Sequence, residues 1–398
     1  MEYKPVEPWQ AMDINGVVYD RGSLYDHFNQ MVDPRKDRGK RYRLVVLMIF
    51  IFLAKMGFAD TPSAIADWVK ARREQMIAML GLSYPKMPHH STYRRVFETI
   101  VDEETFEELA RQYQHRPGGR VESAVLAFDG KRERGTIPPG ESEGEALLAV
   151  YAPDQQEVIA QGRIDPDHGE ILAAQTVLKE VDLQGKVVVG DALHAQRELS
   201  EQVVKAGADY VWTIKENQLN TYRAIELLFI TPDPVKDGLD FQTSQKVNKG
   251  HGRIEERTLT SSNLLNDYLD WPYAHQVFRL ERKFIFRRKG QVVRTEHFIH
   301  YGLTSLRRTQ ADAAQLLSFK RKYWQIETGL HYRRDVTFHE DATRMSHPHA
   351  TRNLATIHNI LLSLFARLGW HNVAQARRFL DADPKKAFSF LLSAFPAL

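Results

Sequence analysis

Apolar positions recur with helical spacing over the first third of the chain and contract into strand-length runs beyond it. From Leu44 to Tyr113 the pattern predicts helices throughout. The run Leu44–Ala54 (LVVLMIFIFLA) ends at Lys55. A membrane-spanning helix needs about 20 apolar residues, so this run reads as a buried helix. The stretch TPSAIADWVKARREQMIAMLGL carries Thr61 and Pro62 at its start, an N-terminal helix signal. A further helical stretch opens at Ser91 or Thr92 with Arg94 and Arg95 early in it, a layout that suits a plain bundle or a small DNA-reading unit.

The turn-rich Arg116-Pro117-Gly118-Gly119 predicts a domain boundary near residue 118. Short apolar runs follow at Val125–Phe128, Ala146–Pro153, Glu157–Ile164, Lys186–Ala192 and Asp209–Lys215, with helices expected at Gly169–Glu180 and Ala195–Ala206. Three strands in succession, then helix, strand, helix, strand is the order of an RNase H-like mixed-sheet core. From about Asp237 to Thr304 the strings RIEERTLTSS, AHQVFRLERKFIFRRKG and QVVRTEHFIHYGLTS predict strands around a Lys289-Gly290 turn. Helices resume from Ala311, and Asp383-Pro384 reads as the capped start of the last one. The expected layout is therefore α/β: an all-helical N-terminal domain (1–118), the first part of an RNase H-like catalytic core (119–236), an inserted β-rich segment (237–305), and a helical C-terminal part that completes the core (306–398).

Composition adds exclusions. Hydrophobic residues at 43% and charged residues at 26% fit a globular chain. With no cysteine, disulfides, thiolate zinc sites and cysteine nucleophiles are excluded, so a metal must take oxygen or histidine ligands. The polar start (MEYKPVEPWQ) has no signal-peptide pattern, and the expected location is the cytoplasm, away from membranes. Net charge is only +3, so bulk charge argues weakly for a nucleic-acid partner. Basic residues nevertheless cluster at Arg35–Arg43, Arg279–Arg294 and Lys320–Arg334, clusters that a solvated face also explains.

Candidate chemistry lies at the strand ends. Asp129 follows VLAF and Asp191 follows VVVG, each at the C-terminal end of an expected buried strand, where α/β folds place working groups. Two such carboxylates on adjacent strands repel unless cations intervene. Mg²⁺ takes one or two carboxylates and fills its other sites with water and phosphate, which points to phosphoryl transfer with paired metals. A third acid is expected, and Glu327 in KRKYWQIETGLHYRR is the candidate, with His331 and Arg334 at i+4 and i+7 of the same helical face, where these two, with Lys320, Arg321 and Tyr323, are candidate DNA contacts. Asp335, Glu340 and Asp341 follow closely and are alternatives to it. A cap, turn or surface role explains any one of these acids alone.

The strings FDGKRERG, VVVGDALHAQRELSEQVVKAGADYVWTIKENQ, HGRIEERT and YWQIETGLHYRRDVTFHEDATR, in this order, resemble bacterial insertion-sequence transposases of the DDE class, in the ISAs-type branch with the H-repeat-associated proteins. The resemblance runs from about residue 25 to about residue 370. It implies an RNase H-like core and a helical associated domain. It also implies Mg²⁺, with Mn²⁺ as a substitute, and a homodimer acting on double-stranded DNA at inverted-repeat ends and target sites. By its pattern Asp129, Asp191 and Glu327 are the catalytic and metal-holding acids. The same pattern matches Lys215, Asn217 and Gln218 in IKENQ and His251 and Arg253 in HGR-x-E, all of them possible DNA contacts. Relatives with an inserted β domain carry Tyr, Arg and Lys around the third acid, and here those places hold Lys320, Tyr323 and Arg334. That departure bears on strand-processing details such as a hairpin intermediate, not on the acids. Tyr323, Trp324 and Tyr332 beside Lys320, Arg321 and Arg333 suit stacking on an unpaired base, or a core.

The resemblance leads to the expectation that the chain cuts DNA and joins it by two-metal phosphoryl transfer, with no organic cofactor. The rival expectations are a domesticated relative acting as a metal-dependent host nuclease, or a DNA-binding protein without transposition. A histidine-metal protein is a further reading, but His331, His339, His347, His349 and His358 match no zinc spacing.

Overall fold

The computed structural model describes residues 7–38, 40–114, 124–137, 140, 142–230, 240–250, 252–289, 291–343 and 345–396. The expected boundaries near 118 and at 237, and the turn at Gly290, fall outside the described residues.

The N-terminal part holds a small hairpin of β1 (Gln10–Met12) and β2 (Val18–Asp20), then helices α1 (Leu24–Gln30), α2 (Leu44–Met56), α3 (Pro62–Ala71), α4 (Arg73–Leu80), α5 (His90–Arg95) and α6 (Glu103–Gln114). Helix α2 is the apolar run, buried along its whole length. No helix among the described residues is long and apolar enough to cross a membrane. Thr61 caps α3 by accepting from the Ala64 amide, with Pro62 at its first position.

The α/β part runs β3 (Val125–Arg132), β4 (Ala146–Ala152), β5 (Glu157–Arg163), α7 (Gly169–Leu178), β6 (Val187–Gly190), α8 (Arg197–Lys205), β7 (Asp209–Ile214) and α9 (Leu219–Ile230). Next come β8 (Gln242–Gly250), β9 (Arg253–Ser262), β10 (Gln276–Arg288) and β11 (Gln291–Thr304), and then α10 (Ala313–Ile326), α11 (Pro348–Arg367), α12 (Val373–Ala382) and α13 (Pro384–Leu392). The sequence reading did not anticipate α9, β8 or the small β1–β2 hairpin.

Among the described residues nine strands make one sheet, ordered β5-β4-β3-β6-β7-β11-β10-β9-β8. Strands β3, β6 and β7 are parallel and carry near-continuous Val and Leu runs, as strands covered on both faces do. The β-rich segment read as an insertion extends this sheet: β11 pairs antiparallel with β7 from Tyr301↔Ile214 to Thr304↔Val211.

Pleating sends alternate residues to opposite layers. Leu126 and Phe128 of β3 pack with α7, α8 and α9. Val125 and Ala127 face the other way, toward α10 and a large helical layer. That layer joins α1–α6 and α11–α13 in one hydrophobic core, so the N-terminal and C-terminal helices, far apart in the chain, bury each other. Helix α10 begins with a capping box, Asp312 accepting from the Gln315 amide while the Gln315 side chain bonds back. It does not run on as an α-helix to Tyr332, because residues Glu327–His331 and Arg333–Thr337 wind into two π turns. Gly329 lies where an added Cβ would meet the Tyr151 hydroxyl at 2.6 Å, so a glycine lets the first wide turn press against β4.

Candidate active site

Asp129 has the parity of Val125 and Ala127, so the pleat aims it at the layer containing α10. Glu327 is the first residue of the π turn that continues α10, and His331 is the last. Single turns of this kind inside helices recur at functional sites. Ligand atoms of Asp129, Glu327 and His331 all lie within 4.8 Å of one another, although Asp129 comes from a distant part of the chain. His331 Nδ1 is 3.6 Å from Glu327 Oε2 and 3.9 Å from Asp129 Oδ2.

The two acids of this group differ in charge. Burial first, then the negative charge of Glu327, pushes the Asp129 carboxyl up to about 8. The hydrogen bond from His331 holds Glu327 below its ordinary value. The two carboxyls therefore favour sharing one proton between them.

Asp191 follows Gly190 at the end of β6. The parallel ladder pairs Ala127 with Val189, so two residues further on Asp129 and Asp191 stand level on neighbouring strands. Asp191 Oδ1 accepts from the Leu193 amide at 2.9 Å, the His194 amide at 3.3 Å and His194 Nδ1 at 2.9 Å. Burial is the largest single influence and opposes the charge, but the His194 side chain and the His194 and Leu193 amides together hold Asp191 below its ordinary value. His194 is fully buried, and its Nε2 lies 3.0 Å from Glu170 Oε1. Burial works against the charged ring, but the hydrogen bond to Asp191 and the close Glu170 carboxylate push it up to about 9. The same Glu170 oxygen accepts from the Gly130 amide at 3.0 Å.

Tyr323 and Lys320 of α10 close the floor between the acids. Lys320 Nζ donates to Thr213 Oγ1 at 2.6 Å and reaches the Gly190 carbonyl at 3.4 Å, and burial pushes it down to about 8 against the pull of Asp191. Burial raises the Tyr323 hydroxyl, and Asp129, Asp191, Glu327 and Glu170 all add to that. A cavity of about 660 Å³ opens beside Asp191, lined also by Lys215, Asn217, Tyr222, His300 and Tyr301.

The remaining sequence candidates take varied places. Lys215 is exposed at the cavity. Asn217 and Gln218 donate to the carbonyls of Ala192 at 2.7 Å and Ala195 at 3.0 Å, so they brace the loop that follows Asp191. Arg253 is exposed at the start of β9, its guanidinium 5.3 Å from the Phe284 ring, on the sheet extension. Arg321 is half-buried on α10, where its charge is felt by Arg257 of β9. His251 lies outside the described residues.

Arg334 departs from its sequence reading. It is fully buried, with ion pairs of 2.5 Å to both Glu133 and Glu340, and cannot reach a DNA phosphate from there. The i+7 argument assumed a continuous α-helix, and the π turns rotate position 334 into the interior. The alternative third acids have other partners: Glu340 holds Arg334, Asp335 pairs with Lys131 at 2.9 Å, and Asp341 accepts from the Arg134 amide at 2.9 Å. Of the other histidines, His358 is buried between Lys55 and Glu340, and His339 pairs with Asp60.

Sequence reasoning passed over Glu170 and His194. The spacing of Asp191 and His194 in GDALH was a usable signal, since a side chain three residues on can turn back to a strand-end acid. Nothing local marks Glu170, which reaches the site only through the fold.

The donors suit a hard divalent ion. Asp129 and Glu327 offer carboxylate oxygens beside one nitrogen ligand, His331, whose buried Nε2 finds no partner among the described residues; Asp191 is not among the ligand atoms that come within 4.8 Å of one another.

Two family descriptions match the chain: "DDE_Tnp_1-associated" over residues 25–114 and "Transposase DDE domain" over residues 123–364. The chain is 25% identical to the candidate transposase YncI of Escherichia coli O157:H7, across 86% of this chain and 87% of that protein. It is 23% identical to the H repeat-associated candidate transposase YhhI of Escherichia coli strain K12, across 86% and 89%. Among solved structures, the piggyBac transposase synaptic complex with hairpin DNA superposes with a TM-score of 0.44 at 11% identity, over 93% of this chain and 77% of that one.

Proposed function

The chain belongs to the transposase DDE domain family, and on that premise we propose that Asp129, Asp191 and Glu327 are the acids with which this transposase holds its divalent metals while it cuts and joins DNA. The proposed ions are two Mg²⁺, with Mn²⁺ able to replace them, held on an RNase H-like core. The observation that carries the assignment is convergence: Glu327, from the turn after α10, meets Asp129 within ligand distance, while Asp191 ends the neighbouring parallel strand at the same level. When bound, such ions activate an attacking hydroxyl and stabilise the leaving oxygen of an in-line displacement at phosphorus.

The chain's own groups prepare that chemistry. Three donors saturate Asp191 Oδ1 and leave Oδ2 for a cation. Burial and Glu327 raise the Asp129 carboxyl, and a cation held there would favour its charged form. Lys320, buried under the Asp191 strand end, supplies positive charge there without touching substrate. Lys215 at the cavity mouth, Arg321 and Arg253 are the proposed phosphate contacts. His331 is assigned to the acids rather than to DNA, and Tyr323 to the floor between them. The distal halves of β8–β11 carry exposed Lys246, Lys249, Lys283, Arg287, Arg288 and Arg294, a basic surface suited to the DNA backbone. The expected substrate is the inverted-repeat end of an element, engaged by a homodimer.

The test is cleavage and joining of DNA carrying such ends by the purified chain, in Mg²⁺ and in EDTA, beside Asp191→Asn. Nicked and joined products that need both the metal and Asp191 are expected. Products that persist in the variant would remove Asp191 from the site.

A further inference from the structure

Building on the reading of the acids as metal ligands, we propose that Glu170 and His194 form a side-chain bridge that sets the spacing between the Asp129–Gly130 segment of β3 and the end of β6, as positioning residues for the metal site. The links are continuous. Asp191 Oδ1 is 2.9 Å from His194 Nδ1, His194 Nε2 is 3.0 Å from Glu170 Oε1, and that oxygen is 3.0 Å from the Gly130 amide, next to Asp129.

The position of the bridge gives it work to do. The parallel ladder between β3 and β6 is registered from Val125↔Val187 to Ala127↔Val189 and stops there. Up to that point the backbone holds the strands about 4.8 Å apart. Asp129 and Asp191 lie beyond it, where the backbone no longer fixes the gap, and the Glu170–His194 pair is the next cross-strand tie. His194 is fully buried with its ring 4.4 Å from that of Phe128, so it is not free to swing. Glu170 reaches the strand because residue 130 is glycine: a Cβ there would meet the Glu170 carboxylate carbon at 2.5 Å. Outer groups that orient metal-binding carboxylates typically change metal affinity or activity about 10-fold to 100-fold when removed.

The two ring contacts can be cut one at a time. In His194→Asn the amide nitrogen falls near the place of Nδ1, keeping the Asp191 bond and losing Glu170. In His194→Gln it falls near Nε2, keeping Glu170 and losing Asp191. Glu170→Gln retains the oxygen that accepts from Gly130 and His194, whereas Glu170→Ala removes it. The readout is Mn²⁺ binding to the full chain, followed by loss of the free-ion electron paramagnetic resonance signal, beside the melting temperature in EDTA. The bridge predicts about tenfold or greater weakening of Mn²⁺ binding in His194→Asn, His194→Gln and Glu170→Ala, with near-normal binding in Glu170→Gln. Wild-type affinity in His194→Asn or Glu170→Ala overturns it. So does a loss of affinity that only tracks lowered melting temperature across the variants, since the pair would then merely hold the fold. Absence of Mn²⁺ binding by the wild-type chain would instead overturn the metal reading, and the bridge with it.

Discussion

Within β3, two residues past its ladder with β6, Asp129 shares its surroundings with a second acid, and burial and Glu327 push its carboxyl up to about 8. At the end of β6, the level-standing Asp191 shares its surroundings with His194, which holds it ionised. One side is an acid–acid pair strained by like charge, and the other is an acid–base pair relieved by opposite charge. The two sides are unevenly prepared for a cation: Asp191 is held charged and oriented by its own neighbours, whereas Asp129 would need a cation to favour its charged form beside Glu327. Neutralising substitutions on the two sides should therefore affect catalysis alike and stability oppositely.

The largest expected effect is common to both sides. Asp129→Asn, Asp191→Asn and Glu327→Gln should each lower the rate of strand cleavage about ten-thousandfold or more, about 5 kcal/mol of transition-state stabilisation, in a single-turnover gel assay. A variant within tenfold of wild type removes that residue from the triad.

Next in size is a change behind the Asp129 side. Arg334→Ala strips Glu133 and Glu340 of their buried partner and should cost about 3–5 kcal/mol in urea unfolding. A stable Arg334→Ala protein with weakened, less salt-sensitive DNA binding would contradict the burial and restore the phosphate-contact reading.

Unfolding in EDTA tests the charge contrast. The folded-state pKa of Asp129 is raised above its unfolded value, so its contribution to stability is full below about pH 4 and is lost as pH rises toward about 8. Asp129→Asn removes that loss, so its stability relative to wild type should grow by about 3 kcal/mol between pH 5 and pH 7. Asp191 has the opposite sign: its lowered pKa contributes stability that disappears as pH falls, and Asp191→Asn should lose stability at neutral pH. Equal pH profiles for the two variants would erase the contrast.

The smallest effect lies outside both sides. Lys215→Ala should weaken DNA binding without touching metal binding, and lower the slope of log affinity against log salt by about one.

Much of this arrangement was legible in the sequence. VLAF-Asp129 and VVVG-Asp191 carry the mark of buried strands leading to an acid; Asp191 does follow the end of β6, whereas β3 runs on past Asp129 to Arg132 because its edge with β4 keeps pairing there. Glu327 was reachable from its helical string and from the family resemblance. The π turns were not legible, because an i→i+5 turn leaves no apolar period of its own, and so Arg334 was placed on the wrong face. Glu170 and His194 meet only through the packing of α7 beside β3, and the shared core of N-terminal and C-terminal helices is equally a product of long-range packing. The strands beyond residue 240 read as an insertion because alternation reports a strand's faces and not its neighbours, and only the β11–β7 register joins them to the core sheet.

The most direct test of the central claim is calorimetric: Mg²⁺ titrated into the full chain at pH 7 in two buffers of different ionisation enthalpy, for wild type and Asp129→Asn. The account predicts release of close to one proton on metal binding by wild type and none from the variant. Metal binding by wild type with no proton released would mean that Asp129 is already ionised beside Glu327, and would contradict the account.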